Sequence, residues 1–440
     1  MKKIYVFLTV LSLFVLLACQ AEKPSAPKLD ITANQLVPSK MVAIGNSLTA
    51  GFQSSGLKEA FQMKSFPLRI AQQMGRGDNF QQPLIDEPGI GNPAGKTPQY
   101  LTANGDIVQD DLMTDPAALL LNVNLPRPYD NLGVPGADAN DVLNTIDSTG
   151  NGNGFFNIVL RNPNFGNTTQ LQQAIMLQPS LVLLWIGNND VLGAALSGTA
   201  ITGVTITPQN DFESTYTEII ETLQSQTRAQ IMIANIPYVT DIPFVNTIPP
   251  VVIDPNTGQP VTDDQGNPIP LITEESGVQY VLLTANELMA TGTGIPQTLG
   301  GNGQPLPATV TLTATEVTTI KDAIDGFNGF LATLAQNKKL VMVDINSLMT
   351  DVNNGNVAGV TGKFVNLDAA TTAFSLDGVH PNDAGYAVVA NGFIETMNRA
   401  FGLTVPTVDY TAETGQYTGG AQAKLAADNA VKGVVDLFVN

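Results

Sequence analysis

Cysteine and histidine are almost absent from this 440-residue sequence, in which Cys19 and His380 are the only examples of each. One cysteine cannot form an intramolecular disulfide, and one cysteine with one histidine cannot complete a Cys/His zinc cluster. Charged residues are also scarce, at 13% of the chain against roughly 25% in an average soluble domain. Acidic residues outnumber basic ones by 39 to 20, and the net charge of −19 argues against binding to nucleic acids, whose phosphates repel it.

The N-terminus has the pattern of an export signal. Lys2 and Lys3 precede a mostly apolar run over residues 4–18, which is shorter than the roughly 20 residues that a membrane-spanning helix needs. A basic start followed by a short apolar run is typical of a secretory signal peptide. We therefore predict that residues 1–18 are a cleaved signal and that the protein is exported.

The only cysteine follows this run. Residues 16–19 read Leu-Leu-Ala-Cys, which resembles the lipobox of bacterial lipoproteins, where the cysteine is lipidated and becomes the mature N-terminus. The alternative is an ordinary signal peptide with an incidental cysteine. The resemblance implies that Cys19 carries the lipid, that residues 19–39 form a flexible tether, and that the protein is anchored to the cell envelope. In such lipoproteins an aspartate directly after the cysteine would indicate retention in the inner membrane. This sequence has Gln20 at that position, which favours the outer membrane.

Short apolar runs bounded by turn residues predict buried strands joined by helices. Apolar residues make up 43% of the chain, enough for a sizeable core. The predicted strands cover residues 41–44, 129–132, 181–186, 230–236 and 340–345. Their alternation with helical patterns predicts a three-layer α/β/α domain over residues 40–402, with a mostly parallel five-stranded sheet.

Helix signals lie between these strands. Ser65 and Pro67 predict the start of a helix that Gly75 ends. A second helical pattern covers residues 169–177. Apolar residues at i, i+4, i+7, i+8 and i+11 from Phe212 predict an amphipathic helix.

Two long turn-rich stretches, about 53–128 and 237–312, are predicted to be insertions in this domain. Both leave the sheet at carboxyl ends of strands, where open α/β sheets bind ligands. We therefore expect both to lie over or beside the site and to shape a substrate pocket. Residues 403–440 form a C-terminal extension with a predicted helix at 421–438 and no functional signal.

The sole histidine is the first candidate for a catalytic group. A lone histidine is more often structural, but Asp377 lies three residues before His380, and a carboxylate on the same loop can orient an imidazole. Ser47 directly follows the first predicted strand and Gly45-Asn46. A serine at a strand-to-helix junction has its hydroxyl near first-turn amides that stabilise negative charge.

Two other predicted strands also end in polar or glycine-rich segments. Residues 131–136 read Asn-Leu-Gly-Val-Pro-Gly, and residues 187–190 read Gly-Asn-Asn-Asp. Gly136 allows close backbone approach to a ligand, and Asn189 places a carboxamide at the mouth of the sheet. Because ligands bind outside the carboxyl ends of the strands, a single site can collect all of these segments.

In their order along the chain, the segments resemble the four sequence blocks of the SGNH (GDSL) hydrolase family of lipases and esterases. The most specific matches are Leu-Val-Leu-Leu-Trp-Ile-Gly-Asn-Asn-Asp at 181–190 and His-Pro-Asn-x-x-Gly-Tyr at 380–386. The resemblance implies a flavodoxin-like sheet and a serine carboxylic-ester hydrolase that needs no metal and no organic cofactor.

The resemblance also implies a role for each candidate residue. Ser47 is the expected nucleophile, His380 the general base and Asp377 the residue that orients the histidine. The expected oxyanion hole consists of the backbone N–H groups of Ser47 and Gly136 and the side-chain amide of Asn189.

Asn46 departs from the family pattern, which usually has aspartate at this position. Asparagine keeps the hydrogen-bonding shape and loses a charge, so the departure concerns loop stability and pH behaviour and leaves the nucleophile assignment intact. Asp190, beside Asn189, is interpreted as a structural hydrogen-bond acceptor.

Two clusters rich in Asp, Asn and Gly invite a calcium interpretation, which the sequence does not favour. The segment that starts at Asp147 has no acid or amide at its third position, and Ile158 occupies the place where an EF-hand needs glutamate. The segments at 254–258 and 263–267 are typical of hairpin turns. We predict no metal site.

The leading prediction is an exported, lipid-anchored serine esterase or lipase that acts on a small-molecule, lipid or glycan ester. A carbohydrate O-deacetylase is the first alternative, since the same fold and residues serve both substrate classes. The second is a non-catalytic surface lipoprotein that uses the scaffold for binding. Retention of every catalytic position argues against this second alternative.

Overall fold

The computed structural model describes residues 39–102, 107–254, 257–362, 364 and 371–413. The predicted signal peptide, Cys19 and the predicted helix at 421–438 lie outside the described residues. Across the described ranges, no helix combines the length and the apolar character that a membrane crossing requires.

The centre of the fold is a five-stranded sheet. Its strands are β1 (Met41–Gly45), β2 (Asn131–Gly133), β3 (Leu181–Trp185), β4 (Gln230–Ala234) and β5 (Val341–Val343). They lie in the order β2-β1-β3-β4-β5, and every neighbouring pair is parallel. All residues of β1 and β3 are buried, as expected for parallel strands covered on both faces. The predicted sheet is thus confirmed, with an entirely parallel strand arrangement and the flavodoxin-like order.

Two predicted strands run two residues past the carboxyl ends of the observed ones, at positions where hydrogen bonds to side chains replace the pairing between strands. The strand predicted to reach Ile345 ends at Val343, since the Asp344 side chain accepts a hydrogen bond from the Ser347 backbone N–H and starts a helix. The strand predicted to reach residue 236 ends at Ala234, since the backbone N–H and carbonyl of Ile236 bond to the side chain of Asn328, both at 2.8 Å.

Helices connect and cover the strands. Those of the first half are α1 (Ser47–Ala50), α2 (Glu59–Gln62), α3 (Phe66–Gln73), α4 (Ala139–Asn144), α5 (Phe155–Leu160), α6 (Gln170–Met176) and α7 (Asn189–Ser197). Those of the second half are α8 (Gln209–Gln226), α9 (Pro243–Asn246), α10 (Asn286–Ala290), α11 (Ala314–Lys338), α12 (Ile345–Asn353) and α13 (Asp383–Phe401). The three predicted helices are therefore present as α3, α6 and α8.

Aromatic contacts show how the helices form two layers around the sheet. On one face, Trp185 of β3 packs against Phe66 of α3 and Phe393 of α13. Between α8 and α11, the rings of Phe212 and Phe327 stack with centroids 4.2 Å apart. Helix α8 also contacts α4 and α6, and α6 contacts β1. The predicted three-layer α/β/α arrangement is confirmed.

Both long insertions have small hydrophobic clusters of their own. In the first, Leu57, Ile85, Ile90 and Leu119 are buried together with Phe52, which directly precedes the insertion, around short paired segments at Gly56–Leu57 and Ile90–Gly91. In the second, the buried set is Ile248, Val252, Leu271, Val281, Ala285, Met289, Ile295, Leu306 and Val310. Its paired segments are Val278–Val281 and Thr311–Thr313. Each insertion therefore has a packed interior of its own.

The start of the C-terminal extension lies along α13. The side chain of Asn398 accepts a hydrogen bond from the Val405 backbone N–H and donates one to its carbonyl. Glu413 forms ion pairs with Lys64 and Arg69 next to α3. These contacts bring residues 403–413 back onto the domain.

Candidate active site

Ser47 is the first residue of α1, directly after β1. The side chain of Asn46 caps this helix by accepting a hydrogen bond from the Leu48 backbone N–H. Gly45 permits the tight junction, because a Cβ at this position would lie 2.5 Å from the Trp185 carbonyl oxygen. The first backbone N–H groups of a helix have no partner within the helix. The Ser47 hydroxyl and its own N–H therefore lie where negative charge is stabilised.

The Ser47 hydroxyl lies 2.9 Å from Nε2 of His380, and Nδ1 of the same ring lies 2.8 Å from Oδ2 of Asp377. Asp377 and His380 belong to one tight loop before α13, in which the Ser375 N–H donates to the His380 carbonyl at 2.7 Å. The structure therefore brings together the three residues that the sequence places 333 and 3 positions apart.

Asp377 is held in its charged form. Burial works to raise the pKa of this carboxyl, but the attraction of His380 and hydrogen bonds from His380 and Ser55 outweigh it and lower the pKa to about 2. A charged carboxylate at Nδ1 selects the tautomer with its proton on that nitrogen. Nε2 is then the acceptor, and it faces the Ser47 hydroxyl, so the arrangement can take a proton from the serine.

Sequence reasoning missed Ser54 and Ser55, which connect the segment after Ser47 to the loop that carries Asp377 and His380. The Ser54 backbone N–H donates to Oγ of Ser375, and that of Ser55 donates to Oδ2 of Asp377, both at 2.8 Å. Both serines have positive φ, at 50° and 56°, a conformation that costs non-glycine residues energy and clusters at functional sites. The only signal in the sequence is the turn-forming composition of Ser-Ser-Gly.

Gly136 and Asn189 lie at the carboxyl ends of β2 and β3, beside the Ser47 junction at the end of β1. Gly136 has φ +84°, and Nδ2 of Asn189 donates to the Ala137 carbonyl at 2.7 Å. That bond uses one of the two N–H groups of the amide. The other remains for a ligand, and together with the backbone N–H groups it provides the kind of donor set that stabilises an oxyanion.

The structure accounts for asparagine at position 46. Oδ1 of Asn46 accepts from the Leu48 N–H at 3.0 Å, while Nδ2 donates to Oδ1 of Asn188 at 3.2 Å. A carboxylate can make the first of these bonds but has no proton for the second. Asn46 and Asn188 therefore form a matched, uncharged pair that joins the ends of β1 and β3.

Asp190 is a buried acceptor, in line with its interpretation from the sequence. Its Oδ2 accepts from the Ala139 backbone N–H at 3.0 Å. Burial, together with the charge of nearby Asp138, raises the pKa of Asp190 to about 7, against opposing hydrogen bonds from Ala139 and Thr207. This side chain ties α7 to the segment that follows Gly136.

The raised pKa predicts how replacement of Asp190 changes stability with pH. The folded protein binds this proton more tightly than the unfolded chain, whose reference pKa is 3.8. Its stabilising effect is therefore complete below about pH 4 and is lost as the pH rises to about 7. Relative to wild type, Asp190→Asn should gain about 2–3 kcal/mol of unfolding free energy between pH 5 and pH 8. Denaturant titrations of both proteins at the two pH values measure this difference, and parallel pH profiles would contradict the burial argument.

Ser47 and His380 open into a cavity of about 850 Å³. Much of its lining comes from the first insertion, including Ile90, Asn92, Gln99 and Leu120, whereas the second insertion contributes Phe244. The lining is apolar and rich in carboxamides, and it contains no lysine or arginine among the described residues. Phe52 also packs against His380, with the centroids of the two rings 4.7 Å apart. The expectation that both insertions shape the pocket therefore applies mainly to the first.

The described part of the chain contains no group of three or more His, Cys, Asp or Glu side chains arranged to hold a metal ion. The site around Ser47 presents a serine hydroxyl, an imidazole, a carboxylate and a side-chain amide. A parallel α/β/α sheet with these groups at the carboxyl ends of its strands defines an ester hydrolase of the SGNH type.

The sequence model of the GDSL-like lipase/acylhydrolase family matches residues 41–393. The chain therefore belongs to this family and is a carboxylic-ester hydrolase. No curated protein sequence matches it significantly.

Several solved structures are similar to this chain, at low sequence identity and with low TM-scores. An α/β hydrolase enzyme from the metagenome of Lake Arreo, Spain, is 13% identical, with a TM-score of 0.37, over 82% of this chain and 94% of that one. The acetyl xylan esterase AlAXEase is 14% identical, with a TM-score of 0.33, over 81% and 98%. A catalytic mutant of an acetylxylan esterase from Geobacillus stearothermophilus is 12% identical, with a TM-score of 0.32, over 84% and 97%.

Proposed function

We propose that the protein cleaves carboxylic esters through an acyl-enzyme formed on Ser47. The observation that carries the proposal is the continuous hydrogen-bonded series from Ser47 through His380 to Asp377, with distances of 2.9 and 2.8 Å, at the edge of an open cavity. This series also argues against a non-catalytic binding protein, which has no need of an aligned proton path.

The proposed reaction has two halves. His380 accepts the Ser47 proton while Oγ bonds to the ester carbonyl carbon. The oxyanion forms near the Ser47 and Gly136 N–H groups and the Asn189 amide. The bond to the alcohol oxygen then breaks, and His380 gives its proton to the departing alcohol. In the second half, water gives a proton to His380 and attacks the acyl carbon, and the acid leaves as Ser47 regains its proton.

The cavity lining supports an uncharged ester as substrate. Without lysine or arginine among its described residues, the lining has no cation to pair with a phosphate or carboxylate, and the net charge of −19 repels anions. Its apolar side chains suit the acyl chain of a lipid ester. Its carboxamides, which include Asn92, Gln99 and Asn157, suit a hydroxyl-rich alcohol and favour carbohydrate O-deacetylation as the second candidate.

A substrate panel separates these candidates. We expect p-nitrophenyl esters from acetate to palmitate to be hydrolysed, with Ser47→Ala as the blank. A preference for long chains identifies a lipase, whereas activity confined to acetyl esters, with acetate released from acetylated glycans, identifies an O-deacetylase. A fluorophosphonate probe should label wild type and not Ser47→Ala. The proposal is wrong if neither ester turnover nor labelling of Ser47 occurs.

We also propose that the protein is exported and lipid-anchored, with the outer membrane as its destination. The support is the N-terminal sequence, in which a basic start and a short apolar run precede Leu-Leu-Ala-Cys at 16–19 and Gln20 follows the cysteine. A membrane-bound esterase on a tether of about 20 residues can reach substrates several nanometres from the bilayer.

Cys19→Ser should abolish lipidation, because Cys19 is the only thiol in the chain. Metabolic labelling with palmitate should give no signal in this variant, and the protein should be soluble or remain an unprocessed precursor. Gln20→Asp is the matched control, since it keeps the cysteine and should keep the label while moving the protein to the inner-membrane fraction. Undiminished palmitate incorporation in Cys19→Ser would disprove the anchor.

A further inference from the structure

The segment that carries Gly136 is a tight turn with a defined type. The Ala137 backbone N–H donates to the Val134 carbonyl at 3.1 Å. Pro135 and Gly136 are the central residues, and Gly136 has φ +84°. Proline followed by a residue with positive φ is the pattern of a type II turn. The peptide that joins Pro135 to Gly136 is thus the central peptide of the turn.

Asn153 holds this peptide from one side. Its Nδ2 donates to the Pro135 carbonyl at 2.7 Å, and its Oδ1 accepts from the Phe155 backbone N–H at 3.1 Å. The Phe155 N–H can only donate, so it fixes which end of the carboxamide is oxygen and leaves Nδ2 for Pro135. In a trans peptide, C=O and N–H point in opposite directions. The Gly136 N–H therefore points away from Asn153.

The alternative conformation of such a turn reverses this peptide. In a type I turn the second central residue has φ near −90°, so the central C=O and N–H exchange directions. A flip at Pro135–Gly136 withdraws the Gly136 N–H from its present side and removes the Pro135 carbonyl from Asn153. The hydrogen bond from Asn153 opposes that flip.

We propose that Asn153 is a positioning residue that locks the oxyanion-binding peptide in its productive orientation. The inference rests on the proposed role of the Gly136 N–H in oxyanion stabilisation. Asn153 acts through the turn and contacts no reacting atom. Its amide supplies a donor to the Pro135 carbonyl at 2.7 Å, which is the contact that a flipped turn loses.

Two substitutions distinguish the hydrogen bond from Asn153 to the Pro135 carbonyl from the contact that Asn153 also makes with the Phe155 N–H. Asn153→Asp keeps an oxygen for the Phe155 N–H and places a second, charged oxygen against the Pro135 carbonyl, which repels it. We expect kcat for p-nitrophenyl acetate to fall about 10–100-fold, since loss of one oxyanion donor costs about 10²–10³. Asn153→Ala removes the hydrogen bond to the Pro135 carbonyl and introduces no charge that repels this carbonyl. The Pro-Gly pair still prefers a type II turn. For Asn153→Ala we expect kcat for p-nitrophenyl acetate to fall about tenfold or less.

KM should change little in both variants, because an oxyanion donor acts on the transition state. Thr169→Ala is the matched control for stability. It removes an N-cap from α6 and should lower Tm by as much as Asn153→Ala while keeping kcat. A crystal structure of Asn153→Asp should show Gly136 with negative φ.

The lock is refuted if Asn153→Asp retains wild-type kcat, if its Gly136 φ stays positive, or if Thr169→Ala loses kcat to the same extent. If wild type shows no Ser47-dependent hydrolysis, the proposed function fails, and the φ of Gly136 in the variant still decides whether Asn153 holds the turn.

Discussion

Ser47→Ala and His380→Ala should each lower kcat/KM for p-nitrophenyl esters by about 10⁴–10⁶-fold. The Ser47 hydroxyl and His380 Nε2 are 2.9 Å apart, and in the proposed reaction neither can form the acyl-enzyme without the other. The double variant should therefore be no slower than the worse single variant, because the two losses do not add. Circular dichroism and thermal unfolding establish that each variant is folded. A folded His380→Ala protein with near-wild-type activity would overturn the whole assignment.

Asp377→Asn should also lower kcat/KM, but by a factor about ten times smaller than His380→Ala does. An asparagine oxygen can still accept from the backbone N–H groups of Val379 and His380, which donate to Asp377 at 2.9 Å, but the charge that orients the ring is lost. Because the pKa of Asp377 is about 2, its carboxylate stays charged through any assay from pH 5 to 9. The acid limb of kcat/KM should then fit one ionising group. Asp190→Asn should show the same acid limb. This result would establish that the limb does not report the buried carboxyl of Asp190, whose pKa is about 7.

The second large effect is expected at Asn189. Asn189→Ala should lower kcat about 10²–10³-fold with little change in KM, because an oxyanion donor acts mainly on the transition state. The substitution also removes the 2.7 Å hydrogen bond to the Ala137 carbonyl, which holds the Gly136 turn. Because this bond is lost as well, we expect the decrease in kcat to lie near the upper end of the 10²–10³-fold range.

Asn188→Ala is the control for the Asn189 substitution, since it removes a carboxamide of the same size from the preceding residue. Asn188 accepts a hydrogen bond from Asn46, so this variant should have a lower Tm and should keep kcat within about tenfold. Steady-state kinetics on both variants make the comparison. An Asn189→Ala enzyme within threefold of wild type would remove this side chain from the oxyanion hole.

Local patterns in the sequence determined the strands of the sheet and the candidates for the reactive groups. Buried parallel strands need continuous apolar runs, and those at 181–186 and 230–236 stand out without any knowledge of their neighbours. Parallel strands place their carboxyl ends at one edge of such a sheet, so Ser47, Gly136 and Asn189 were predictable as members of one site. The single histidine left one candidate for the base.

Errors occurred where a distant side chain competed with a local preference. Asn328 lies 92 positions after Ile236 and bonds to its backbone N–H and carbonyl at 2.8 Å, so that strand ends earlier than its apolar run indicates. Ser65 precedes α3 as predicted, but its hydroxyl donates to Gln82 and makes no cap. Periodicity describes one segment at a time and carries no information about such partners.

Contacts between segments far apart in the chain were decided by the tertiary structure alone. The Ser55 N–H meets Asp377 across 322 positions, Phe244 reaches the cavity from the second insertion, and Asn153 holds the Pro135 carbonyl. Each depends on where a loop returns to the sheet, which follows from the packing of the whole domain. The sequence by itself determined which groups are the candidates for the reaction, because residue type and the apolar pattern of a strand are local properties. Only the folded chain decided which groups hold them in place.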